Sequence, residues 1–227
     1  MGEPLPGADS GVPVKLPRGP HRLTEEQVSE SQRTRLMSSL TELMTERGYA
    51  AVTIGDLVGR AGVSRTSFYQ HFAGKQECLF AAYDRFAAII AVAITPDFDP
   101  AEPWRRYVET VLGGYLDALS RDFTATRAFL VEMDAAGRAA RQRRWAAAHG
   151  FATLLAERHA EIRACHPEFG PLPHRAYLGI ALAARDLICE TLEQQPEPDL
   201  HELAPDLVTF AVALFEGAAA ADTERPS

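Results

Sequence analysis

Apolar residues recur three and four positions apart along most of the 227-residue chain, and nowhere do they settle into the two-residue alternation of a half-buried strand. Leu36, Leu40, Leu43 and Met44 give a first helix one buried face. That helix opens near Thr24, which has capping-box spacing to Gln27, and Gly48 supplies the left-handed residue that stops it. Thr53 then caps a short helix, with Asp56 in its first turn, that runs to Arg60 or Ala61. Ala61, Gly62 and Val63 make a turn, and Ser64 caps a third helix to about Phe72. Gly74 breaks it, and a fourth helix runs from Lys75 to about Ile94. Proline and glycine joints predict five more, near 101–120, 124–136, 138–164, 172–194 and 202–220. The expected fold is all-α, with about nine helices: a three-helix N-terminal domain over 24–76 and a larger helical bundle over 77–221. Nine of the first twenty residues are Gly or Pro, so 1–23 reads as a flexible arm and 222–227 as a flexible tail.

Composition narrows the class. The chain is 46% hydrophobic and 24% charged, which excludes disorder as its main state. No apolar run reaches the roughly 18 consecutive residues of a membrane span, and the first residues have no signal-peptide core. A cytoplasmic protein with no membrane partner is expected. Cys78, Cys165 and Cys189 are too few and scattered for a disulfide framework or a CxxC metal site. No nucleophile–base pairing, metal cluster or phosphate loop is evident, so no catalytic residue, metal ligand or cofactor is expected and the chain does not read as an enzyme.

The net charge of −8 argues against nucleic acid until its distribution is considered. Residues 1–94 are balanced, ten Lys/Arg against ten Asp/Glu, and the whole deficit falls in residues 95–227. The N-terminal part therefore stays eligible for a polyanion. Two short helices joined by a glycine turn and packed on a longer one are a helix-turn-helix. Val52, Leu57, Val58, Ala61, Val63, Phe68 and Phe72 would hold it together. Its outer face carries Arg65, Thr66, Ser67, Tyr69, Gln70 and His71, and no carboxylate occurs from Ser64 to Gln76. Donors without charge repulsion are what base edges and phosphates need.

The stretch from Thr53 to Glu77, with AGVSRTSFYQHFAGKQE at its centre, resembles the DNA-binding domain of the tetracycline-repressor (TetR) family, and the likeness extends over about residues 31–90. The resemblance implies a phosphate contact at Thr53, base contacts in the major groove from Arg65, Thr66 and Ser67, and phosphate contacts from Tyr69, His71 and Lys75. Gln70 points outward without being a fixed contact of the family pattern. It further implies a dimer on a near-palindromic DNA operator and a small-molecule effector bound in the C-terminal bundle, with repression the commoner mode and activation open.

For the dimer, the last two helices offer apolar residues on more than one face, including Leu178, Leu182, Leu192, Leu207, Phe210 and Leu214. Trp104, Tyr107, Phe129, Met133, Trp145, His149 and Phe151 are the candidates to line the pocket. A rival reading is a helical small-molecule carrier with a vestigial DNA face. Intact Arg65, Tyr69, His71 and Lys75 count against it.

Overall fold

The computed structural model describes residues 24–97, 99, 102–166 and 170–223, with side chains as far as Phe215. Nine α-helices and no strand occur among them: α1 (Glu25–Arg47), α2 (Ile54–Ala61), α3 (Arg65–His71), α4 (Lys75–Ala93), α5 (Trp104–Ser120), α6 (Phe123–Leu130), α7 (Arg138–Cys165), α8 (His174–Gln194) and α9 (Ala204–Thr223). The arm expected over 1–23 lies outside the described residues. So do 224–227 of the expected tail, whereas 222 and 223 continue α9.

Local chemistry sets the helix starts. Thr24 and Gln27 form a reciprocal capping box, and so do Thr53 and Asp56. Ser64 Oγ accepts from the Ser67 amide at 2.9 Å, and Asp122 does the same for Ala125 at 2.9 Å. Gly62 takes the left-handed conformation (φ 64°, ψ 38°) that turns α2 into α3, and Arg35 of α1 donates to the Ala61 carbonyl beside it at 2.8 Å. Gly48 also has positive φ, but its ψ of 150° lies outside the left-handed helical region, and the chain leaves α1 through a short 3₁₀ turn, Tyr49–Ala51.

The helix expected over 124–136 is two elements. α6 ends at Leu130, and Glu132–Ala136 is a 3₁₀ turn closed by Gly137 at φ 99°. Residues distant in sequence hold that break: Arg185 of α8 donates to the Leu130 carbonyl, and Arg144 of α7 donates to Asp134 at 2.8 Å.

Two apolar cores result. The N-terminal one joins Leu36, Leu40 and Met44 of α1 to Leu57, Phe68, Phe72 and Leu79. Each of these side chains is essentially fully buried, a contribution of roughly 1.5–3 kcal/mol apiece. Ala128, Phe129, Met133 and Ala140 complete the same core. The C-terminal core lies among α5, α7, α8 and α9. α4 belongs to both, with Cys78, Leu79 and Tyr83 in the first and Ile90 and Ile94 in the second. A boundary at residue 76 therefore cuts through the first turn of a helix that the N-terminal core needs. α4 and α5 cross closely at Gly114, where an added Cβ would stand 2.6 Å from the Ala93 carbonyl oxygen.

Candidate nucleic-acid interface and ligand cavity

α3 is anchored by Phe68 and Phe72, which are 0% and 1% exposed, and this turns the opposite side of the helix to solvent. Arg65, Thr66, Tyr69 and Gln70 are all exposed there, and Tyr69 packs edge-on against the Phe68 ring at 5.4 Å. The nearest carboxylates in sequence are occupied. Asp56 takes the Thr53 hydroxyl and amide and the Arg47 guanidinium, which hold its pKa down to about 2. Glu77 accepts from the Ala73 amide at 2.5 Å, at the start of α4. The exposed face thus presents one cation and several neutral donors.

The other four residues expected at the interface have structural partners. Ser67 is half-buried, with its hydroxyl 2.9 Å from that of Ser64. The Thr53 hydroxyl donates to Asp56 at 2.6 Å and accepts from its amide, so an anion would meet the start of α2 rather than a free hydroxyl. His71 is half-buried with Nε2 3.2 Å from Gln32 Oε1. Burial, then Arg33, lowers its pKa and favours the neutral ring. Lys75 Nζ donates to the carbonyls of Tyr49 (2.8 Å) and Val52 (2.6 Å) and lies 4.1 Å from the centre of the Tyr49 ring. It ties the start of α4 to the turn between α1 and α2.

A cavity of about 790 Å³, its open mouth included, lies among α4, α5, α7, α8 and α9. Of the seven candidates, Trp104, Tyr107 and Phe151 line it. The other four do not. Phe129 (3% exposed) and Met133 (0%) fill the N-terminal core. Trp145 is exposed, and His149 is exposed and stacked on His174 with ring centres 5.7 Å apart. The reason is helical phase: Phe151 is six residues beyond Trp145, about a third of a turn away around α7. Phe151, Leu155, His159 and Ile162 share the cavity face. Their spacing was a signal for His159 that the more conspicuous aromatic pair obscured. A second, smaller hollow adjoins the cavity through Ile90, Tyr115, Phe151 and Ala181, and Arg144 and Arg185 line it.

The proposed dimer residues also divide. Leu192 (0%) and Leu207 (3%) are buried within the chain's own C-terminal core and are not available to a partner. Leu178, Leu182 and Leu214 are half-buried, and Phe210 is 43% exposed. Leu187, exposed on α8, was not among the candidates. α8 and α9 each spend one apolar face on the core, which is where Leu192 and Leu207 go.

Among the described residues, no helix is long and apolar enough to cross a membrane, and no three metal-ligating side chains cluster. Residues 36–82 match the family model of bacterial regulatory proteins, tetR family. The Transposon Tn10 TetC protein of Escherichia coli is 35% identical over 82 residues, which are 36% of this chain and 41% of that protein. The HTH-type transcriptional activator FasR of Mycolicibacterium smegmatis is 25% identical over 108 residues, 48% of this chain and 49% of that one. The chain thus spans about half the length of the curated relatives it matches. The fold extends further. The transcriptional regulator FadR from Bacillus subtilis, solved in complex with stearoyl-CoA, superposes with a TM-score of 0.67 at 16% identity, covering 81% of this chain and 98% of that one. The helix-turn-helix segment is thus similar to that of the tetR family of bacterial regulatory proteins, and the all-helical fold that carries it is shared with solved regulators such as FadR.

Proposed function

We propose that the chain is a transcriptional regulator that binds its operator as a homodimer and is released from it by a small apolar molecule in the C-terminal cavity. The observation that carries this reading is the outer face of α3. Arg65, Thr66, Tyr69 and Gln70 stand exposed on a helix fixed by Phe68 and Phe72, with no carboxylate within it. Arg65 is the residue suited to a guanine, and Tyr69 to a phosphate.

A path for the effector's influence is built into the packing. Ile90 and Ile94 line the cavity from the same helix whose first half completes the DNA-binding core. Ala184 also lines the cavity, and the next residue, Arg185, holds the Leu130 carbonyl at the end of α6. A ligand that fits one arrangement of α4 and α8 better than another shifts the population of dimers whose recognition helices match successive major grooves.

The test is binding to a DNA fragment from the gene's own upstream region and to an unbiased pool of duplexes, across a salt series. We expect affinity to fall steeply with salt, because phosphate contacts release counterions. Arg65→Ala and Tyr69→Ala are each expected to weaken binding roughly tenfold or more while leaving the unfolding midpoint almost unchanged, since both side chains are exposed. Failure to select any sequence from the pool would overturn the reading.

A further inference from the structure

One polar atom in the wall of the apolar cavity has no partner. His159 is 2% exposed and lines the cavity with its ring among those of Trp104, Tyr177 and Phe215. Its Nε2 is buried and meets no hydrogen-bonding group. Its Nδ1 is 2.6 Å from the Tyr177 hydroxyl.

That contact selects a tautomer. If Nδ1 carried the proton and donated it to Tyr177, both the phenol proton and the Nε2 lone pair would be left unmet. If the phenol donates to Nδ1, every group on that side is satisfied and the imidazole proton sits on Nε2. The second arrangement leaves one unmet group where the first leaves two. Burial, aided by Arg163, pushes the imidazole pKa down to about 4, so the ring is neutral at physiological pH. The cavity therefore holds, at His159, an uncharged N–H donor fixed in a largely apolar wall.

The rest of the lining bears on the ligand's charge. Among the described residues that line the cavity, Arg158 is the one with a charged side chain, and Glu161 engages its guanidinium at 2.5 Å. A ligand carboxylate would lose its hydration there without gaining an uncommitted cation.

We propose that the cavity binds an uncharged, largely apolar molecule carrying one hydrogen-bond acceptor, such as a ketone, ester or ether oxygen, which takes the Nε2–H of His159. This rests on reading the C-terminal bundle as the effector-binding part, and names the class of effector.

Three probes of matched size separate the possibilities: benzylacetone, butylbenzene, which replaces the carbonyl by a methylene, and hydrocinnamate, which replaces the methyl ketone by a carboxylate. Each is titrated calorimetrically into the full chain at neutral pH, without DNA. Wild type is expected to bind benzylacetone roughly tenfold tighter than butylbenzene, and hydrocinnamate more weakly than benzylacetone. His159→Leu should bind benzylacetone and butylbenzene equally. Tyr177→Phe keeps the ring but frees its tautomer, so it should reduce the preference while leaving butylbenzene affinity unchanged. It carries the test if circular dichroism shows His159→Leu unfolded. Equal affinities in wild type, a preference that survives in folded His159→Leu, tighter binding of hydrocinnamate, or saturable binding of none of the three would each overturn the proposal. None of these outcomes touches operator binding, and a protein that binds no DNA could still show the preference, so the two readings fail separately.

Discussion

At Lys75 the ammonium donates to two main-chain carbonyls and lies over the Tyr49 ring, so its first effect is on stability. Lys75→Met keeps the aliphatic stem and removes both bonds. We expect a loss of about 1–3 kcal/mol, read as a lower urea midpoint at unchanged slope. His159 makes a second prediction, with a sign set by its depressed pKa. Between an ordinary value of 6.5 and its folded value of about 4, the unfolded chain binds a proton that the native protein does not. Stability is therefore full above pH 6.5 and lost as pH falls towards 4, by up to about 3 kcal/mol. His71, also lowered by burial, acts in the same direction. The measurement is thus the difference in unfolding midpoint between wild type and His159→Leu across that range, which should shrink towards acid pH. Neither role was legible from sequence. Lys75 and His159 are single polar residues whose partners lie 18 to 26 positions away, a separation at which helical spacing says nothing.

Among the helices, what was legible is what local chemistry decides. The box at Thr24/Gln27 and the caps at Thr53 and Ser64 formed where the residue spacing placed them, because each closes within three residues. Thr53→Ala should accordingly cost about 1 kcal/mol, measured by thermal unfolding. The end of α6 was not legible, because the Leu130 carbonyl and Asp134 are held by arginines from α7 and α8. The cavity face of α7 was missed for a related reason: a long helix offers several stripes, and only its neighbours choose among them. Gly114 shows the same dependence on a neighbour. Its sequence context reads as a tolerated helical glycine, yet the Ala93 carbonyl of α4 lies where a side chain would begin. Gly114→Ala should push α4 and α5 apart, costing about 1–3 kcal/mol despite alanine's higher helix propensity. A stability gain in urea unfolding would contradict that crossing.

For the molecule as a whole, the dimer prediction falls on α8 and α9. Leu187 and Phe210 are the large apolar side chains left exposed there, whereas Leu192 and Leu207 are committed to the chain's own core. Phe210→Glu and Leu187→Glu should shift sedimentation towards a monomer and weaken operator binding, with little change in helicity. The two apolar cores meet along α4, and the first reaches well beyond it. Phe129 and Met133, well past the fourth helix, supply part of the surface on which Leu40, Phe72 and Leu79 close. The helix-turn-helix head is therefore not a detachable cassette. A chimera that keeps this head and exchanges the receiver behind it must carry α6 and the turn that follows, or furnish replacements of the same shape. A cut at residue 76, or even after α4, would leave the head with an open floor.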